Sequence, residues 1–281
     1  MKKLLLLTLL LIPALASAQL RVSGIGGDNG YTAAKASYYF RPSGENYAII
    51  PMYSYYKDTD TEGAKSVSRF GLRGEYYTNS FDFGVEGGYS PESNGYQNYS
   101  AAGDVRYYFL RNVRNQFLST LYIGAGVSYT KHEQDEGYTN PYSLTRSLIP
   151  QYELEETRVQ AMAGAKISII SLNTVYSKGF YSETPLNVQN AWTDIPFFMT
   201  VNRAYLDYYW TSTASIPWEM FRLHGGYSLA RDKGAKEDFQ SVNAGLTVTI
   251  SNISVTGNVE VVDFDSSDNK VYYSLSGGLA F

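Results

Sequence analysis

A chain of 281 residues is long enough for one large domain or two ordinary ones, and its 23 basic against 27 acidic residues give a net charge of −4, a balance unsuited to gripping nucleic acid. There is no cysteine, which excludes disulfides and thiolate metal sites, while 27 Tyr and 25 Gly are high for an ordinary soluble domain. Mean hydropathy is only −0.27, and past the first residues no stretch holds the roughly 20 continuous apolar residues of a transmembrane helix.

The first element is a leader. Met1, Lys2 and Lys3 precede an apolar run from Leu4 to Leu11, then Ile12, Pro13 and the small residues Ala16, Ser17 and Ala18. The run is too short to span a bilayer and ends on a cleavage-type sequence, so residues 1–18 are expected to be a cleaved signal peptide and 19–281 a single domain. Losing Lys2 and Lys3 leaves 21 basic against 27 acidic residues, a net charge of −6.

From Gln19 onward the dominant period is two, the mark of strands. Phe70, Leu72, Gly74 and Tyr76 share a face, as do Phe81, Phe83, Val85, Gly87 and Tyr89, and then Leu121, Ile123, Ala125, Val127 and Tyr129. Later, Phe221, Leu223, Gly225, Tyr227 and Leu229 alternate with Arg222, His224, Gly226 and Ser228. Val242 to Ile250 and Ile253 to Val261 repeat the pattern, and Val271, Tyr273, Leu275, Gly277, Leu279 and Phe281 oppose Tyr272, Ser274, Ser276, Gly278 and Ala280. One face suits lipid and the other a lumen.

Connections alternate between short turns (Arg41 to Gly44, Thr78 to Ser80, Ser251-Asn252) and longer polar loops (58–65, 132–155, 182–195). The strands fall at 20–27, 31–41, 46–57, 66–77, 81–91, 97–110, 116–131, 156–168, 170–181, 197–212, 217–231, 237–250, 252–264 and 270–281. That is fourteen, or twelve if the short glycine-rich 20–27 and the turn at Ser168 to Ser171 are discounted. The expected fold is all-β: a transmembrane antiparallel up-and-down barrel.

The leader, the Tyr- and Gly-rich alternating strands and the terminal run Val271 to Phe281 resemble the bacterial outer-membrane β-barrel proteins of Gram-negative cells, over essentially all of residues 19–281 and without a match to one subfamily. The resemblance implies outer-membrane localisation, contact with lipid and lipopolysaccharide, passage through periplasmic chaperones, and a barrel-assembly machinery that reads Phe281 as an insertion signal. A trimeric porin is normally longer, so it also implies a monomer.

Alternation assigns Lys35, Arg69, Arg73, Glu75, Asp82, Glu86, Asp104, Arg106, Arg158, Lys166, Arg203, Asp207, Arg222, His224 and Glu260 to the lumen. Arg69, Arg73 and Glu75 lie on the strand expected to pair with the one carrying Asp82 and Glu86, and the next carries Asp104 and Arg106. Two readings are open: opposed basic and acidic walls that orient a polar solute, or an ion-pair network that satisfies interior charge. A fourteen-strand barrel is wider than the eight-stranded kind that side chains fill, which favours a water-filled passage for small polar solutes.

Aromatic pairs near strand ends, among them Tyr38, Tyr39, Phe40, Tyr55, Tyr56, Tyr76, Tyr77, Tyr107, Tyr108, Phe109, Tyr208, Tyr209 and Trp210, read as interfacial girdles or, on their inward members, a stacking track. Asp58 to Gly63 begins like a calcium loop, but Arg69 stands where a bidentate Glu should close it, so no metal or cofactor is assigned. Only His132, beside Glu133, and His224, beside Arg222, offer histidine bases, without a clustered aspartate pair or a serine signature beside them. The expectation is a porin-like channel for passive diffusion; a non-conducting surface-binding or adhesion barrel and a barrel enzyme are the alternatives.

Overall fold

The computed structural model describes residues 16–58, 66–114, 116–138, 148–185, 205–234, 236–264 and 267–281. They form one closed antiparallel barrel of fourteen strands. In chain order these are β1 (Ala16–Gly27), β2 (Tyr31–Pro42), β3 (Tyr47–Asp58), β4 (Val67–Tyr77), β5 (Phe81–Ser93), β6 (Tyr96–Leu110) and β7 (Leu118–Gln134). Then follow β8 (Tyr152–Ile167), β9 (Ile170–Tyr181), β10 (Leu206–Trp218), β11 (Phe221–Asp232), β12 (Asp238–Ile250), β13 (Ile253–Phe264) and β14 (Ser267–Ala280). Each strand pairs with its sequence neighbours, and β1 closes the ring on β14.

Closure leaves no sheet edge, so every interior backbone group is paired without water. The two surfaces are inverted relative to a soluble barrel. Val85, Leu275 and Val242 point outward at 66%, 65% and 58% exposure, while Ser228, Asn98 and Glu260 point inward at 0%. An apolar outside and a hydrogen-bonded polar inside is what lipid on one face and water or packed side chains on the other select.

The strands meet at two unlike ends. The terminal end, where β1 starts and β14 finishes, carries tight turns at Ser168-Ile169, Glu219-Met220 and Ser251-Asn252, each with a positive φ on its first residue. That is the handedness a two-residue hairpin needs to match strand twist. The loop end carries the longer connections and, among the described residues, a tight turn at Asn94-Gly95, where both residues take positive φ. A side chain at Gly95 would also collide with the Tyr138 ring.

Several boundaries differ from expectation, the first at β1, which starts at Ala16 inside the expected leader and pairs Ala16 to Ala18 with Pro42 to Phe40. β7 and β8 run on to Gln134 and back to Tyr152, so both ends of 132–155 belong to the paired strands. Its outward polar residues satisfy one another across the strands: Lys131 bridges Glu133 at 2.7 Å and Glu153 at 3.2 Å, so polarity here does not mark a turn. The strand expected at 197–212 lies at Leu206–Trp218, with 197–204 outside the described residues. Pro217 sits in register with Arg222, one pair before the hairpin, where a missing N–H costs little.

Outward aromatics cluster towards both ends. Tyr89 and Tyr99 stack at 4.9 Å near the loop end, and Phe81, Tyr107 and Phe109 pack in sequence near the terminal end.

Candidate functional site: the barrel lumen

The inward residues sort into three zones. Towards the loop end, Tyr31, Tyr56, Tyr96, Tyr209, Phe239 and Tyr272, with Ile25, Val67, Leu206 and Val262, form one buried cluster fed from nearly every strand. Tyr31 meets the Tyr272 ring edge-on at 5.5 Å. This collar is missing from the sequence expectation, which treated Tyr56 and Tyr209 as members of a girdle or track. Their parity gave the inward direction, but only the register shows that they converge at one depth.

Beside the collar, towards the loop end, a polar set is locked. His132 is fully buried; its Nδ1 lies 2.7 Å from the Tyr96 hydroxyl and its Nε2 3.2 Å from Glu156 Oε2. Arg158 donates to Glu156 at 2.5 Å, to the Tyr181 hydroxyl at 3.2 Å and to the Leu206 carbonyl at 2.9 Å. Tyr205 packs edge-on against His132 and shares a 2.7 Å hydrogen bond with Tyr152. Burial holds the Tyr205 phenol well above its ordinary range, so it stays neutral. Glu156 and Tyr96 were not expected here, because Glu156 adjoins the polar segment read as loop at 132–155 and Tyr96 stands one residue before the strand expected at 97–110.

The second zone is a charged wall on β4, β5 and β6. Register opposes Arg73 with Glu86, Tyr77 with Asp82, Asp82 with Arg106 and Gly84 with Asp104. Arg73 meets Glu75 at 2.8 Å, Asp104 at 2.7 Å and Glu86 at 3.8 Å, and Arg106 reaches Asp104 at 4.0 Å. Tyr77 donates to Glu75, while Asp82 holds Arg111 at 2.7 Å and the Tyr108 hydroxyl at 2.8 Å. Gly84 and Gly88 on β5 make this possible, since a side chain at either would strike the Arg73 or Arg69 guanidinium. Both signs therefore sit together on one wall as a network that borders a cavity of about 500 Å³.

The third zone is a second cavity, about 760 Å³, under β1–β3 and β11–β14. Ser, Thr and Asn side chains line it with Arg21, Lys35 and Arg222. Lys35 also faces the Tyr56 ring at 5.9 Å.

Among the remaining expected residues, Lys166 sits inward near the terminal end, in register with Thr120 and Ser171. His224 hydrogen-bonds Asn258, and Glu260 is sealed in the wall, accepting from Ser241 at 3.0 Å. Arg203 lies outside the described residues, as does most of the calcium-like segment. Asp207 is a correction. A bulge between Leu206 and Tyr208 breaks the alternation, and Asp207 pairs with Lys178 at 2.8 Å and Lys233 at 3.2 Å; Lys178 belongs to the outward set of β9.

No protein-family model and no curated protein matches the sequence. Solved structures do. The chain is similar to the CymD monoaromatic hydrocarbon channel, with a TM-score of 0.58 at 12% identity over 95% of this chain and 88% of that one. It is similar to OprD of Pseudomonas aeruginosa (TM-score 0.51, 6% identity, 95% and 94% covered) and to the loop-L8 deletion mutant of OmpT, an outer membrane protein of Vibrio cholerae (0.50, 12%, 95% and 98%). At these identities the likeness establishes the fold: that of a Gram-negative outer-membrane β-barrel.

Proposed function

We propose that the protein is a porin-like channel that lets small hydrophilic solutes diffuse passively across the outer membrane of a Gram-negative bacterium. The observation that carries this reading is the lumen itself: two polar-lined cavities of about 760 and 500 Å³ inside a closed fourteen-strand wall with an apolar exterior. Similarity in fold to one protein named as a channel, for monoaromatic hydrocarbons, supports passage of a solute without indicating which.

On this reading the terminal end faces the periplasm and the charged belt of Lys131, Glu133, Glu153 and Glu155 stands at lipopolysaccharide level. The leader 1–18 is removed on export, Phe281 serves insertion by the assembly machinery, and the barrel works as a monomer. The ring closes through residues that remain after that cleavage, from the Gln19–Ala280 pair to the Gly27–Tyr272 pair, and the Phe281 side chain is exposed. The aromatic collar is the limiting constriction, so conductance is small for a barrel of this width.

A non-enzymatic role fits the histidines. His132 has both ring nitrogens engaged and is fully buried, so no substrate atom reaches it, and the Nε2 of His224 is taken by Asn258.

The test is planar-bilayer conductance of the refolded protein, with heat-modifiable gel migration as the check that a barrel has formed. Discrete steps that grow in Tyr209→Ala support a channel gated by the collar. A folded barrel that passes no current rejects it.

A further inference from the structure

The outer wall carries a charged cluster separate from the lumen, whose role needs the barrel to sit in a membrane and does not need it to conduct. The bulge at Leu206–Tyr208 turns Asp207 outward, where its carboxylate is shared: Lys178 Nζ lies 2.8 Å from Oδ2 and Lys233 Nζ 3.2 Å from Oδ1. Asp207 is the least exposed of the three side chains, at 16% against 35% and 46% for the lysines, so the carboxylate anchors the ammoniums and they remain the accessible part. An ammonium has three donors, and each lysine retains some beyond its contact with Asp207.

The belt on β7 and β8 is the inverse of this cluster. There one ammonium, Lys131, stands between two carboxylates, Glu133 at 2.7 Å and Glu153 at 3.2 Å. The rim at the loop end thus pairs an acidic sector with a basic one next to it. Register widens the basic sector: Lys178 opposes Tyr208, and Tyr208 opposes Arg231, whose Nη1 meets Asp238 at 3.5 Å.

Depth sets the cluster at headgroup level. On β10 the outward residues run from Trp218, 69% exposed beside the Glu219-Met220 turn, up to Tyr208. Ten residues at roughly 3.3 Å each, on a strand tilted by about 40°, rise about 25 Å, the height of the apolar band of such barrels. Directly beneath the cluster Trp210 opposes Tyr176 and Leu229, and its indole Nε1–H donates to Thr174 Oγ1 at 2.8 Å, which lays the ring against the wall. Cations above an aromatic shelf are the arrangement of a membrane interface. Lower still, Leu172, Ala214, Gly225, Ala244 and Val259 oppose one another in turn, so three small residues form a trough between two larger ones.

We propose that this sector docks one phosphorylated lipid of the leaflet at the loop end. Its phosphomonoester bridges Lys178 and Lys233 with Arg231 alongside, and its acyl chains lie over Trp210 and the trough. A phosphomonoester carries a charge of about −1.5 to −2 at pH 7 and three acceptor oxygens, which complements two ammoniums held at a fixed spacing by one carboxylate. Free phosphate shares that chemistry but has nothing to lay on the aromatic shelf and the trough, so the apolar seat selects the lipid.

The experiment is native mass spectrometry of the refolded protein in an uncharged detergent. It is titrated with diphosphorylated lipid A, with the same lipid after removal of its phosphates, and with inorganic phosphate. The expected result is one lipid A held per barrel, roughly tenfold weaker binding of the phosphate-free lipid, and no displacement of lipid A by millimolar inorganic phosphate. Lys178→Gln with Lys233→Gln should weaken lipid A binding by roughly tenfold, while Lys131→Gln in the acidic sector leaves it unchanged.

Folding of each variant is checked by gel migration. If the double variant does not fold, Lys178→Gln alone should weaken binding by roughly fivefold, and the comparison of the two lipids on the wild type needs no variant. Equal binding with and without phosphate, or equal binding by the lysine variants, overturns the site. Displacement by inorganic phosphate assigns it to the free ion and overturns the lipid. None of these readings uses current, so a barrel that never conducts leaves the lipid site standing, and loss of the lipid site leaves the channel reading standing.

Discussion

At the loop end of the lumen Tyr56, Tyr96 and Tyr209 are at most 2% exposed and enclose a buried His132–Glu156–Arg158 chain, whereas towards the terminal end Arg222, Thr247 and Ser254 border an open cavity. The same alternation supplies both regions, so the difference is one of depth rather than pattern. Towards the loop end inward side chains are large, pack against their neighbours around the wall and satisfy one another there. Towards the terminal end they are small and leave a polar cavity. One barrel thus combines a tightly packed aromatic collar with a polar floor that borders a cavity.

The largest effect expected from breaking this comparison is at Arg158. Arg158→Met leaves Glu156 buried beside His132 with its strongest partner gone, and removing one member of a buried ion pair costs about 3–5 kcal/mol. The drop should appear as a lower urea midpoint for loss of the heat-modifiable band. Arg73→Gln is the matched change on the charged wall. Arg73 meets more carboxylates than Arg158 does, yet the expected loss is smaller, about 1–2 kcal/mol, because the Glu75, Glu86 and Asp104 side chains are 16–32% exposed and can be rehydrated, whereas Glu156, on the same cavity, is 4% exposed. Its larger consequence is on ion selectivity. If Arg73→Gln proves as destabilising as Arg158→Met, the division into packed and open regions is wrong.

Tyr272→Leu sharpens the comparison from the side of conduction. Leucine keeps the site apolar but gives up the edge-on contact with Tyr31, worth about 1 kcal/mol. The shorter side chain should raise single-channel conductance while leaving ion preference unchanged, since the collar sets size and the floor sets charge. A shift in preference without a change in conductance would contradict that separation.

How much of this was readable beforehand follows from what alternation encodes. Lipid against water fixes which residues of a strand face out, so Val85, Leu223 and Leu275 were legible, and with them the strand count. Depth along the axis is not encoded, because it depends on register, which is set by pairing across the whole ring. Tyr55-Tyr56 and Tyr208-Tyr209 look alike as aromatic pairs; only pairing shows that Tyr56 and Tyr209 meet in one cluster. Polarity misled at the β7–β8 hairpin, where charges outside the apolar band pair across strands and imitate a loop.

The smallest expected effect concerns Asp207, where a local break in the pattern moves a charge from one side of the wall to the other. Strict alternation from Tyr209 would point it inward; the bulge at Leu206–Tyr208 instead sets it against Lys178 and Lys233. An exposed ion pair of this kind contributes at most about 1 kcal/mol, so Asp207→Asn should barely move the urea midpoint. More tellingly, it should leave the reversal potential where it was, because a charge outside the wall is screened from a permeating ion by water, salt and the barrel. A measurable shift towards anions in Asp207→Asn would place the carboxylate in the lumen after all, and the bulge would then have to be dismissed as the reason β10 departs from alternation.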